Sequence, residues 1–127
     1  MKPEDAIQLV EQFIAAYNGF DVEGMIALLH PDCSFRNLSG GQVNASTDGI
    51  EEFQKLAEMS ASLFASRRQT ITGSRWSGDT LIVEIDFEGT LTADIPGGPK
   101  AGEILALHGR SEYQFRDGKI ASIADYS

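Results

Sequence analysis

Cysteine occurs once in the 127 residues, as Cys33, so no disulfide can close within the chain and no metal site can be built from thiolates alone. Basic residues are scarce. Ten Lys and Arg against 19 Asp and Glu leave a net charge of −9, which repels nucleic-acid phosphates and anionic membrane faces and makes both poor partners. No apolar run is long enough to span a bilayer and no leader-like segment opens the chain, so a soluble, cytoplasmic protein is expected. A Gly-rich phosphate loop, a nucleophile elbow, a metal-ligand cluster, internal repeats and low-complexity tracts are missing too. Gly97-Gly98 between Pro96 and Pro99 is a loop device with no helix after it. No cofactor and no metal are therefore expected, and the partner class that remains is a small organic molecule.

What is present is a 42% apolar composition, enough for one domain over residues 1–127. Ile7, Val10, Phe13, Ile14 and Tyr17 recur at helical spacing after Pro3, predicting a helix over 4–18 that Asn18-Gly19 ends. Asp21 can cap a second, short helix carrying Met25, Ile26, Leu28 and Leu29, which must stop before Pro31 and leaves His30-Pro31-Asp32 as a turn. Cys33, Phe35 and Asn37 then share one face of a short strand ending at Ser39-Gly40-Gly41, and 42–47, without periodicity, reads as a loop. Asp48 with Glu51 resembles a capping box for a long third helix to about residue 65, bearing Ile50, Phe53, Leu56, Ala57 and Met59.

The rest alternates. Strands are expected over 69–76 and 81–92, joined at Ser77-Gly78-Asp79; in the second, Leu81, Val83, Ile85 and Phe87 face inward and Ile82, Glu84, Asp86 and Glu88 outward. Glu84, Asp86 and Glu88 are strung along a ladder instead of converging, so they read as a solvated face with His108, Arg110 or Arg116 as cross-strand partners. A long strand through 104–116 puts Leu105, Leu107, Gly109, Ser111, Tyr113 and Phe115 on its inner side. Asp117-Gly118 turns it into a last strand carrying Asp125. Three early helices, one inserted strand and a four-strand antiparallel meander make an α+β fold, a curved sheet wrapped around helices as a cone with an internal pocket. The small residues Gly109 and Ser111 mark where that hollow is expected.

The segment from Phe13 through Tyr17-Asn18-Gly19 and His30-Pro31-Asp32 to Phe35, the helix start Gly49-Ile50 with Phe53, and Tyr113-Gln114-Phe115-Arg116-Asp117-Gly118-Lys119-Ile120 resemble the nuclear transport factor 2-like superfamily. The likeness is greatest to its SnoaL-like polyketide cyclase and ketosteroid isomerase branch, and it covers nearly the whole chain. Ketosteroid isomerases carry a tyrosine, an aspartate base and a protonated aspartic acid where this chain has Phe13, Asn37 and Ser111, so that chemistry in its usual form is not expected. SnoaL-like cyclases place an acid/base aspartate on the last strand, close to Asp125. Their partner histidine would be His108, although its register points outward. His30 is given no role.

The resemblance therefore implies acid/base catalysis by Asp125 with Asn37 orienting a carbonyl, and His108 as a further acid/base candidate. Phe13, Tyr17, Phe35, Met59, Phe87, Ser111 and Tyr113 would line the pocket around a small hydrophobic or carbonyl-containing ligand. Tyr17 and Tyr113 are the polar-tipped members of that wall. A cyclase, isomerase or dehydratase is one reading; a non-catalytic binder or dimeric scaffold of the same fold is the other. Relatives dimerise through the outer sheet face, so a homodimer is expected.

Overall fold

A computed structural model describes residues 1–127. Helix α1, Pro3–Asn18, begins with Pro3 at its first turn beside Glu4 and Asp5, where a missing N–H costs nothing and negative charge suits the helix dipole. Gly19 N–H donates to the Ala15 carbonyl and Phe20 takes a left-handed φ of 58°, which stops the helix and turns the chain. The Asp21 side chain accepts from Gly24 N at 2.9 Å and starts α2, Val22–Ile26. Strands β1, Leu29–Ser39, and β2, Gln42–Asp48, precede α3, Ile50–Ser62; then β3, Phe64–Ser77, β4, Thr80–Leu91, β5, Ile104–Arg116, and β6, Lys119–Tyr126, complete the chain.

The six strands form one curved, unclosed sheet in the order β2-β1-β6-β5-β4-β3. All neighbours are antiparallel except β1 and β6, which run parallel. The meander of the last four strands and the α+β architecture agree with the sequence expectation. The helices cover the concave face, where Val10, Phe13 and Ile14 of α1, Met25 of α2 and Phe53 of α3 pack on Leu81, Val83, Tyr113, Ile120 and Ile123. Each fully buried side chain of this kind contributes roughly 1.5–3 kcal/mol.

Five local expectations are corrected. Residues 42–47 are not a loop but most of β2, an edge strand that pairs only with β1; Val43, exposed, and the small Ala45 give it too weak an apolar face to announce it. His30-Pro31-Asp32 is not a free turn but lies inside β1, where pairing to β6 jumps from Leu29–Ile120 to Ser34–Ser122. That bulge holds Pro31 where no ladder bond is asked of it. The chain leaves α2 at Ile26, so Leu29 is the first residue of β1, not a helical one. Gly49, at φ 85°, caps α3 in place of Asp48, and it is Glu52, not Glu51, that reaches back to the Asp48 N–H at 3.0 Å. Because α3 stops at Ser62, β3 starts at Phe64, five residues earlier than the alternation suggested.

Candidate functional site

Between α1, α3 and the concave face of the sheet lies a cavity of about 340 Å³. Strand register explains what points into it. Asp125 of β6 is flanked in the ladder by Asn37 of β1 on one side and Ser111 of β5 on the other, and Ser111 is flanked by Val83 of β4. Residues level with one another across a sheet share a face, so Asn37, Asp125 and Ser111 form one polar row on the inner wall. The Ser111 hydroxyl donates to Asp125 Oδ1 at 2.7 Å.

Asp125 is reached by solvent only in part, and its surroundings are apolar. Burial disfavours the charged carboxylate and pushes the acid up to about 6, a rise that the hydrogen bond from Ser111 reduces but does not cancel. Burial likewise raises the phenol of Tyr113, with the Asp125 charge adding to the effect. Phe13 meets Phe53 at 6.2 Å and Tyr113 at 6.4 Å between ring centroids, and Phe35 meets Phe53 at 5.8 Å, so this end of the pocket is an aromatic cage with one acid in its wall.

The other end is built by the start of β3. Arg67 pairs with Gly89 of β4, which pairs with Leu105 of β5. Arg67 is buried, its Nε donates to the Tyr17 carbonyl at 2.9 Å, and its guanidinium lies 3.7 Å from the centroid of the Tyr17 ring. Asn18 fastens the same corner: its Nδ2 donates to the Gln69 carbonyl at 3.1 Å and its Oδ1 accepts from Gln69 N at 2.7 Å. Phe87 packs edge-on against Tyr17 and Phe64, and completes the wall. Tyr17 stands between the two ends. Burial raises its phenol, Arg67 lowers it and Asp125 raises it again.

Of the residues expected in the pocket, Phe13, Tyr17, Phe35, Asn37, Phe87, Ser111, Tyr113 and Asp125 all line it. Met59 does not: at about 100° per residue it points roughly 120° away from Phe53 and roughly 160° away from Ala57, which α3 presents to the cavity, and it is 60% exposed. His108 does not either. It stands on the outer face directly across from Asp86, with Nδ1 2.6 Å from Asp86 Oδ1, and this hydrogen bond raises its pKa. Glu84 on that face pairs with Arg75 at 3.3 Å, so part of the acidic row is matched by surface cations.

Gly109 lines the hollow as expected and has a second reason besides. A Cβ there would run into the backbone carbonyl of Tyr126, so the missing side chain admits the end of the chain as well as opening the hollow. Ser127 N then donates to the Leu38 carbonyl at 3.0 Å, tying the terminus over β1. Arg67 lies outside the strand expected over 69–76, which in fact starts at Phe64, and Gln69, its first expected residue, carries no chemical signal of its own. Extending the strand's alternation back from Ile71 through Gln69 puts Arg67 inward and Arg68 outward, as observed.

Solved structures of similar fold come from several sources. A protein of Xanthomonas campestris pv. campestris provisionally described as a polyketide cyclase superposes with a TM-score of 0.82 at 22% identity, over 98% of this chain and 90% of its own. A Catenulispora acidiphila protein of ketosteroid isomerase-like fold, solved in complex with trimethylamine, gives 0.77 at 21% identity over 100% and 87%. An LEH-like epoxide hydrolase of M. tuberculosis gives 0.75 at 20% over 97% and 82%. No curated protein sequence matches significantly. The SnoaL-like domain model matches residues 10–123, nearly the full length. The chain belongs to the SnoaL-like domain family.

Proposed function

We propose that the chain is a cofactor-independent acid/base enzyme of the cyclase, isomerase or dehydratase type, acting on a small apolar cyclic or carbonyl compound held in the cone. The observation that carries this reading is Asp125: one carboxyl, enclosed by aromatic walls, titrating near 6 and held by Ser111 beside Asn37. A base poised near neutral pH combines a usable ionised fraction with real basicity. In the step envisaged, the Asp125 carboxylate takes a proton from the carbon next to a ketone. The electron pair left behind becomes an enolate, whose oxygen accepts a hydrogen bond from the Asn37 amide. The protonated Asp125 then returns the proton at another carbon, or to a hydroxyl that leaves as water.

The test needs no natural substrate. The wild-type protein is expected to speed the exchange of the α-protons of 2-tetralone for deuterium in D2O, followed by NMR. The rate should fall as the pH drops through about 6, because the protonated acid cannot accept a proton. Exchange no faster than in buffer would remove the catalytic reading and leave the non-catalytic binder, which the replacement of three titrating groups by Phe13, Asn37 and Ser111 favours.

The outer sheet face is proposed as a homodimer surface. It carries charges of both signs from Arg75, Glu84, Asp86 and His108, with the exposed apolar side chain of Ile104 on the same face. Light scattering at micromolar concentration is expected to give twice the chain mass; a monomer mass would refute this assembly.

A further inference from the structure

Arg67 is a buried cation that the acid/base reading leaves without a task. Only 6% of its surface is exposed, yet none of the protein's ion pairs includes it. Its Nε is satisfied by the Tyr17 carbonyl, and its flat face is covered by Tyr17 at 3.7 Å and Phe20 at 4.6 Å. Its Nη1 is buried and has no hydrogen-bond partner. Burying a guanidinium without a carboxylate is costly, and an unsatisfied donor adds to the cost. The chain had acids to spare, 19 against 10 bases, and puts none of them here. Arginine keeps its proton even in such surroundings. A fixed positive charge with a free donor, lining an apolar cavity, is the complement of an anion that arrives with the ligand.

We propose that Arg67 is a carboxylate-recognition subsite, so that the pocket takes a flat, apolar ring system bearing a carboxylate, with the anion on Arg67 Nη1 and the rings among Phe64, Phe87 and Tyr17. The geometry also orients such a ligand. Leu105, in the Arg67 row, and Ser111, in the Asp125 row, are six residues apart on β5, roughly 20 Å of extended strand before the sheet curves. The charged end of the ligand would therefore sit at the β3 corner, away from Asp125, which at neutral pH would repel it. The inference rests on the reading of the cavity as a ligand pocket and adds the class of molecule that fills it.

The experiment compares 2-naphthoate with its neutral counterpart 2-naphthamide by titration calorimetry. The wild type is expected to bind the acid at least about tenfold more tightly. Arg67→Met should erase that preference while leaving the amide affinity within about twofold. Asp125→Asn should keep it, so that lost exchange of 2-tetralone and lost carboxylate preference are separate failures. In the wild type itself, naphthoate and not naphthamide should shift the Arg67 Nε–H resonance in NMR spectra, a reading that stands even if Arg67→Met does not fold. Equal affinity for the two compounds, including no binding of either, would overturn the proposal. A preference that survives in folded Arg67→Met would do the same.

Discussion

Asp125→Asn is expected to lower α-proton exchange by about 10²- to 10⁴-fold, the usual contribution of a positioned general base. The same substitution should make the protein more stable at neutral pH. The folded-state acid titrates at about 6 against an ordinary 3.8, so the folded protein binds this proton more tightly than the unfolded chain does. Stability therefore falls as the pH rises from about 3.8 to about 6, and the penalty is fully present above that window. A rise of about two units corresponds to roughly 3 kcal/mol as an upper bound. Asparagine cannot ionise but keeps an oxygen to accept from Ser111. Urea denaturation at pH 7.5 should show the variant more stable by up to that amount, and the difference should shrink towards pH 4. Equal stability at pH 7.5 would mean that the carboxyl is hydrated in the folded state, and the case for a tuned base would go with it.

Gly109→Val is expected to be the most disruptive single change near the site. Its first side-chain carbon would meet the Tyr126 carbonyl, which is backbone and has no rotamer to change. Either β5 bends away or the last residues of β6 lift off. Overpacking of this kind costs about 1–3 kcal/mol. The cost falls on the segment that holds Asp125, so activity should drop further than global stability. Thermal unfolding and the exchange assay read the two effects separately. A variant with unchanged melting temperature and full activity would show that the chain end does not rest on Gly109 in solution.

The parts of the fold that could be read from residues are those whose pattern is local. In β4, Val83, Ile85 and Phe87 alternate with the acidic Glu84, Asp86 and Glu88, and the structure buries Val83 and Ile85 with Leu81 in one row. Strand β2 is different. Gln42, Asn44 and Ser46 alternate only with the exposed Val43, the small Ala45 and Thr47, too weak an apolar face to mark a strand, and the strand exists because β1 offers it an edge. For Asp125 the residue was legible and its environment was not. An aspartate two places from a chain end is exposed by default. It is enclosed here because β6 is inserted between β1 and β5, a long-range pairing that no short window of sequence contains. Arg67 escaped notice for a related reason: helix α3 passes into β3 across Leu63 with no glycine, proline or polar turn between them. Met59 is apolar yet faces solvent, so apolar character alone does not place a residue of an amphipathic helix on its buried stripe.

The central place of β6 also bears on how the protein is made. Strands β1 and β2 touch the rest of the sheet only through the eight-residue β6, so a chain emerging from the ribosome has two separate pieces of sheet until β6 has emerged. Domains that rely on such distant pairing fold slowly and expose unpaired edges while they wait. Here the waiting edges are those of β1 and β5, and the residue that closes the gap between them at the pocket is Asp125. Closure of the sheet by β6 and placement of the acid in the pocket are thus parts of one late event.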